Sequence, residues 1–200
     1  MVPRTVAAVL ACCALAPAAQ ASSRPNFPKV VTGTVSGSYV SKKDGLTDKA
    51  TWTIKGLRLK LVHVRFVENT WTGFYDVTAG TVTFTDNQTG SCSYSLNQTF
   101  ALKPVLPSRK LTTPFSMTRN MLGKDSYGAD MRPTKRWNVT ETCSYEGSEP
   151  TTQTRKVTTG NLLDTGTTRF RIGRAMKGRY SYADDYEHST TVFKWSLKPR

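Results

Sequence analysis

Alternation between apolar and polar side chains is the feature that most limits how this chain can fold. Over residues 91–102 the apolar side chains stand mainly at even positions: Cys92, Tyr94, Leu96, Phe100 and Leu102. Successive side chains of a β-strand point to opposite faces, so this pattern predicts a strand with one buried face and one polar face. Runs rich in Ala, Leu, Glu and Lys, which favour helices, are absent after residue 21. The chain is therefore expected to be all-β.

The alternation changes phase within residues 55–69. Apolar side chains stand mainly at odd positions up to Leu61 and at even positions from Val62. A slip of one residue exchanges the two faces of a strand, so a bulge or a break is expected near this point. Turn-forming residues separate the predicted strands. Asp44-Gly45 is typical of a hairpin turn, and residues 85–90 and 146–150 also have turn composition.

A short pattern occurs near both ends of the alternating region. The tripeptides Gly-Ser-Tyr at 37–39 and Gly-Arg-Tyr at 178–180 precede Trp52 and Trp195, respectively. Each copy is predicted to be a β-hairpin with its aromatic side chains in the core, because such residues pack well across strand pairs. The second hairpin is expected to bury Trp195 beside Tyr180 or Tyr182. An aromatic platform for a ligand is the alternative.

The predicted strands form one domain over residues 30–200. An antiparallel β-sandwich is the expected architecture, and a partly closed barrel is the alternative. Residues 103–136 contain four prolines, so they are predicted to form a long basic crossover with one short strand around residues 115–118. Residues 22–29 are expected to be a flexible segment.

The first 21 residues have the composition of a signal peptide. Arg4 precedes an apolar run too short to span a bilayer, and Ala19-Gln20-Ala21 places small residues where a signal peptidase reads them. We therefore expect cleavage after Ala21, secretion to the extracellular space or the periplasm, and no transmembrane segment. Cys92 and Cys143 would remain, and an oxidising compartment predicts a disulfide between them.

The chain is strongly basic, with 28 Lys and Arg residues, 14 Asp and Glu residues and a formal charge of +14. Cleavage after Ala21 would remove Arg4 alone among the charged residues and leave +13. Such a charge favours an anionic partner, namely a polysaccharide, a wall polymer or a nucleic acid, although it also serves solubility. The candidate anion-binding residues are Arg169, Arg171, Arg174, Lys177, Arg179, Arg109 and Lys110.

Residues that could carry chemistry are sparse. The one acidic cluster offers weak candidates for a metal site, although acidic turns are commonly solvated; its members are Asp184, Asp185, Glu187 and His188. No catalytic motif of defined spacing occurs, and no cofactor is predicted. Asn87, Asn97 and Asn138 begin N-glycosylation sequons, which the bacterial character of the signal peptide would leave unused.

The function predicted from these features is a secreted, non-catalytic binding domain with an anionic partner. One alternative is a secreted hydrolase or lyase that acts on an acidic polymer, and another is a protein-interaction or inhibitor module. A flat basic face would favour the binding domain. A pocket in which His63 or His188 meets a carboxylate would favour the enzyme.

Overall fold

A computed structural model describes residues 23–104, 114–133 and 135–200. These residues form twelve β-strands, and none of them forms a helix. The strands are β1 (Val30–Lys43), β2 (Leu46–Val67), β3 (Thr70–Thr89), β4 (Cys92–Ala101), β5 (Phe115–Asn120), β6 (Asp125–Met131), β7 (Arg136–Cys143), β8 (Thr151–Thr158), β9 (Leu163–Asp164), β10 (Thr168–Phe170), β11 (Met176–Asp184) and β12 (Ser189–Pro199). The prediction of an all-β chain is confirmed.

All twelve strands belong to one antiparallel sheet, which is not closed into a barrel. Its main order is β10-β6-β5-β3-β2-β1-β12-β11, and β4 pairs with the second half of β3 and with β7. The long strands β2 and β3 run through both regions of the sheet. The first half of β3 pairs with β5, whereas its second half pairs with β4.

The sheet folds so that distant strands pack against each other. The indole Nε1–H of Trp195 in β12 donates to the Tyr127 hydroxyl in β6 over 2.8 Å. Phe84 in β3 stacks on Trp137 in β7, with ring centroids 5.7 Å apart. These residues belong to or border one continuous apolar core. The facing layers expected of a sandwich are therefore parts of a single folded sheet.

The predicted turn and phase shift have direct counterparts in the backbone. Asp44 and Gly45 connect β1 to β2 with φ values of 52° and 75°, the left-handed conformations that a tight hairpin turn of this type requires. The pairing of β2 with β3 slips between Leu61 and His63, which places a bulge at Val62. Residues 146–150 connect β7 to β8 as expected. Residues 85–89, in contrast, continue strand β3, and the turn to β4 follows at Gly90.

The segment 103–136 has more regular structure than expected. Strand β5 contains the short strand predicted there, and β6 returns antiparallel to it. The prolines lie at positions 104, 107, 114 and 133, which bracket this hairpin and leave its interior free to pair. Residues 105–113 lie outside the described residues.

The described residues that precede β1 pack against the sheet. Phe27 is buried, and the Tyr75 hydroxyl donates to the carbonyl of Pro28 over 2.9 Å. This packing differs from the flexible segment expected for residues 22–29, because one large aromatic side chain attaches the segment to the core. The predicted signal peptide lies outside the described residues. Within the described part, no helix is long and apolar enough to cross a membrane.

The recurring tripeptide pattern marks a repeated pairing of glycine with tryptophan. Gly37 of β1 lies opposite Trp52 of β2, and Gly178 of β11 lies opposite Trp195 of β12. In each pair the indole ring occupies the space where a side chain on the glycine would stand. Trp195 is buried as predicted, but its ring contacts Tyr127, whereas Tyr180 and Tyr182 lie against Phe193. The pattern therefore builds the core.

Candidate binding surfaces

One face of the sheet points away from the core across six adjacent strands, β11-β12-β1-β2-β3-β4. The strand register assigns its members: even positions of β12 and β1, odd positions of β11 and β4, and the matching positions of β2 and β3. We call this surface the outer face. Most of its polar members are Thr, Ser and Asn, as in the ladder of Thr83, Thr85, Asn97 and Thr99.

The outer face carries many cations and a single carboxylate, that of Asp76, which lies opposite Lys60 in the β2–β3 pairing. Its basic residues are Lys42, Lys49, Lys55, Arg58, Lys60, Lys177, Arg179, Lys194 and Lys198. Arg179 lies directly opposite Lys194 in the β11–β12 pairing, so two like charges face each other. Among the described residues, the ion pairs involve Lys43, Arg119, Arg132 and Arg155, and none of the outer-face cations. The positive charge of this face thus greatly exceeds its negative charge.

The structure divides the predicted anion-binding residues between two places. Lys177 and Arg179 lie on the outer face, whereas Arg169 and Arg171 border a shallow depression of about 490 Å³ together with Arg119 and Lys124. Arg174 lies in the turn between these two groups. Arg109 and Lys110 fall outside the described residues.

The charge in the depression is partly neutralised. Arg119 donates to both carboxylate oxygens of Asp125, over 2.6 and 2.8 Å, and the backbone N–H of Ile172 donates to the same carboxylate. Burial acts to raise the pKa of Asp125, but these hydrogen bonds outweigh it and the pKa is lowered. Asp125 therefore stays ionised and faces the arginines. The outer face has one carboxylate, that of Asp76, against nine cations.

The acidic hairpin tip does not gather its residues around a common point. Asp184 Oδ1 accepts from the backbone N–H groups of Tyr186 and Glu187, and Glu187 lies 3.8 Å from the Lys43 ammonium. Among the described residues, three potential ligand atoms lie within 4.8 Å of one another only at Cys92, Glu141 and Cys143. Both sulfurs of that group are joined in the predicted disulfide, which is confirmed.

A pocket of about 370 Å³ opens on the core side of the sheet, near the β11–β12 tip. Its aromatic lining residues are Tyr39, Trp52, Phe84 and Tyr182. Its charged lining residues are all acidic: Asp48, Asp86, Asp184 and Glu187. We call this cavity the acidic pocket. Neither histidine lines it.

Two carboxylates meet in the wall of the acidic pocket. In the pairing of β2 with β3, Asp86 lies opposite Ala50 and Asp48 lies opposite Gln88. These two pairs are two residues apart along the strands, so the two carboxylates are neighbours on the same face of the sheet. Oδ1 of Asp48 and Oδ1 of Asp86 are both buried without a donor. Two carboxylate oxygens attract each other only when a proton or another cation lies between them. Burial, and then the contact with Asp48, raise the pKa of Asp86 to about 7.

The nearest basic residue is engaged elsewhere. Arg155 Nη1 donates to Glu141 over 2.8 Å and to the amide oxygen of Gln88 over 2.6 Å. Burial acts to raise the pKa of Glu141, but hydrogen bonds from Arg155, Gln153 and Gln88 lower it overall. Arg155 is thus held by a fully ionised partner, and its charge offsets that of Asp86 only in part.

The acidic pocket was not predicted from the sequence, because its two central carboxylates lie in or next to turn-like segments. Asp48 lies just after the Asp44-Gly45 turn, and Asp86 lies in the segment that was predicted to be a turn. Both carboxylates therefore fitted a solvated loop. The available signal was the position of each residue in the alternating pattern. Asp48 and Asp86 stand at even positions, on the same side of their strands as the buried Trp52 and Phe84.

Comparison of this chain with protein-family models, with curated proteins and with solved structures finds no match.

Proposed function

We propose that this protein is an exported, non-catalytic domain that binds an anionic polymer on its outer face. The observation that carries the proposal is the excess of positive charge on the outer face, where nine cations stand against one carboxylate. The Cys92–Cys143 disulfide is consistent with export, since disulfides persist in oxidising compartments.

The chemistry of the outer face suits a polymer. Lys and Arg release counterions from a chain of negative charges, and rows of Thr, Ser and Asn add hydrogen bonds along it. None of the outer-face cations lines the depression or the acidic pocket, where one monomer could be selected. We therefore expect binding to depend on charge density and salt more than on the exact repeat unit.

A hydrolase or lyase with an acidic substrate is less well supported. The carboxylate pair stands in a pocket whose four charged lining residues are all negative, so an acidic polymer would be repelled there. The outer face, which would attract such a polymer, lies on the opposite side of the same strands.

The proposal is tested with two triple variants that each remove three positive charges. Arg179→Ser, Lys194→Ser and Lys198→Ser together alter the outer face, and Arg169→Ser, Arg171→Ser and Arg174→Ser together alter the depression and its flanking turn. Heparin, a mixed-sequence DNA duplex and a teichoic acid are titrated at about 50 mM and about 200 mM salt, over which polyanion binding weakens steeply.

We expect wild-type affinity to fall strongly between the two salt concentrations. The outer-face variant should lose at least about tenfold at low salt and show a shallower salt dependence, since fewer counterions are released. The depression variant should lose much less. Equal losses in both variants would show that net charge alone governs binding, and an unchanged affinity in the outer-face variant would reject the site.

A further inference from the structure

We propose that the acidic pocket is a binding site for a small organic ammonium ion. The pocket combines aromatic rings with carboxylates that range from buried to exposed, inside a protein whose overall charge is strongly positive. This ligand class differs from the polymer proposed for the outer face, and the two sites lie on opposite sides of the sheet.

The aromatic lining supplies the first part of the site. Tyr39, Trp52 and Tyr182 come from β1, β2 and β11, so rings border the cavity from three strands. The position of Trp52 is fixed, because its indole Nε1–H donates to the carbonyl of Leu162 over 2.7 Å and its ring covers Gly37. Ring faces attract ammonium groups, and most strongly where water is excluded.

The charges of the lining supply the second part. Among the residues that the structure describes, four carboxylates border the cavity and no Lys or Arg does. One of them, Glu187, is 3.8 Å from the half-exposed ammonium of Lys43, which leaves Asp48, Asp86 and Asp184 as the stronger sources of negative charge. A cavity of about 370 Å³ is large enough for an organic cation of several heavy atoms.

Asp86 gives an independent reason to expect a cation. Its side chain is only 7% exposed, and its Oδ1 atom has no hydrogen-bond donor. Buried carboxylate oxygens normally accept hydrogen bonds. Two neighbouring buried oxygens without a donor, on Asp86 and on Asp48, therefore indicate a positive charge that has to come from outside the chain. In the free protein a proton fills this role below the pKa of Asp86, which is about 7.

The spacing of the carboxylates favours an organic ion over a bare divalent metal. Calcium binds six to eight oxygens at about 2.3–2.6 Å, which requires several carboxylates to converge. Within the described residues, no three carboxylates of this pocket bring ligand atoms within 4.8 Å of one another. Acids spread around a ring-lined wall suit a larger cation that contacts them separately.

The carboxylate pair couples this binding to pH. A bound cation stabilises the ionised pair, so it should displace the shared proton. The charged and titratable groups that face Asp86 are Asp48, Tyr94 and Arg155, and Asp184 and Glu187 face the same cavity. Of these groups, only Arg155 carries a positive charge that would repel the ligand, and Arg155 is already bound to Glu141.

The test uses choline as the probe and 3,3-dimethylbutan-1-ol, its neutral isostere, as the matched control. Binding is followed by Trp fluorescence, since Trp52 lines the cavity, and by calorimetry at pH 7 in two buffers of different ionisation enthalpy. We expect choline to bind, the isostere to bind at least about tenfold more weakly, and about half a proton to be released per choline at pH 7.

Three variants locate the site, and a fourth serves as the control. Asp48→Asn and Asp86→Asn should each weaken choline binding at least about tenfold. Asp86→Asn should abolish proton release, whereas Asp48→Asn should only reduce it, because burial is the larger cause of the raised pKa of Asp86. Asp185→Asn, an acid of the tip outside the pocket lining, should leave both unchanged. Tyr182→Leu removes a partly exposed ring at little risk to folding and should also weaken binding. Heparin binding should not change in any of them.

Equal binding of choline and its isostere would overturn the proposal, as would retention of choline binding by both Asn variants. Tight binding of calcium chloride that excludes choline would also overturn it, because the site would then belong to a metal ion. Failure of the heparin experiment would leave this result standing, since the two surfaces are separate.

Discussion

At the scale of single residues, two glycines determine where the large indole rings of the core can lie. A β-carbon built on Gly37 would stand 2.1 Å from Cζ2 of Trp52, and one on Gly178 would stand 2.3 Å from Cζ2 of Trp195. Both glycines lie in strands, where glycine ordinarily weakens pairing. Here the cross-strand indole covers the backbone and fills the missing volume.

Replacement of either glycine should therefore cost more than strand propensity suggests. Gly37→Ala and Gly178→Ala are each expected to lower the free energy of unfolding by about 1–3 kcal/mol, because the ring would be forced from its place. Gly160→Ala is the control, since nothing lies within 4 Å of its β-carbon position. Thermal denaturation measures the difference, and a Gly37→Ala protein as stable as the control would contradict the role assigned to the ring.

The raised pKa of Asp86 should appear in the pH dependence of stability. Folded Asp86 keeps its proton up to about pH 7, whereas an unfolded aspartic acid loses its proton near pH 4. The folded state binds more protons in this interval, so the contribution of Asp86 to the free energy of unfolding falls as pH rises through it.

Asp86→Asn removes that contribution while keeping the shape of the side chain. We expect the variant to gain stability relative to the wild type as pH rises from 5 to 8, by about 1–3 kcal/mol at pH 8. Asp125 and Glu141, whose lowered pKa values act in the opposite sense, are present in both proteins. Urea denaturation at several pH values gives the difference, and a constant gap between the two proteins would show that Asp86 titrates normally.

At the scale of elements, the β7–β8 hairpin is joined to the rest of the sheet by a short backbone pairing. Strand β4 pairs with β7 at two positions only, Cys92 with Cys143 and Ser93 with Thr142. The disulfide occupies one of these pairs, and the contacts of Trp137 with Phe84 and Phe100 add apolar packing. The covalent bond thus stands where backbone pairing is short.

Loss of the disulfide should loosen this hairpin before other elements. The pair of substitutions Cys92→Ala and Cys143→Ala is expected to cost about 4 kcal/mol in the chain-entropy model for a separation of 51 residues. Hydrogen exchange should rise first in β7 and β8 and change little in β11 and β12. Uniform loss of protection would show instead that the bond stabilises the sheet as a whole.

At the scale of the whole molecule, the sequence predicted which face of a strand is buried better than it predicted which strands pair with each other. Alternation identified β4, β7 and β12, and the phase change at Leu61 located the bulge at Val62, because both depend only on which side chains are buried. The pairing of β1 with β12 leaves no local trace, since it joins residues that are far apart in sequence. The single folded sheet follows from such pairings and was not predicted.

The candidate sites show the same limit. Lys177 and Arg179 were found as members of a basic segment, but Arg169 and Arg171 of that segment face another depression, because the chain turns between them. The cations that join Lys177 and Arg179 come from β1, β2 and β12, and only the strand register brings them together. Asp48 and Asp86 were assigned to turns because turn propensity reflects residue type and not the face on which a residue lies.

The place of β1 between β2 and β12 has a consequence for the order of folding. A chain that is delivered residue by residue, whether by a ribosome or through a membrane pore, presents β1 and β2 long before β12. Until β12 arrives, the free edge of β1 keeps its backbone N–H and C=O groups unpaired over residues 31–41, which in the folded sheet bond to β12. Such an edge is a template for a strand from another molecule. Crowded chains still in transit are therefore at risk of pairing with each other, and delivery of the residues of β12 ends that risk.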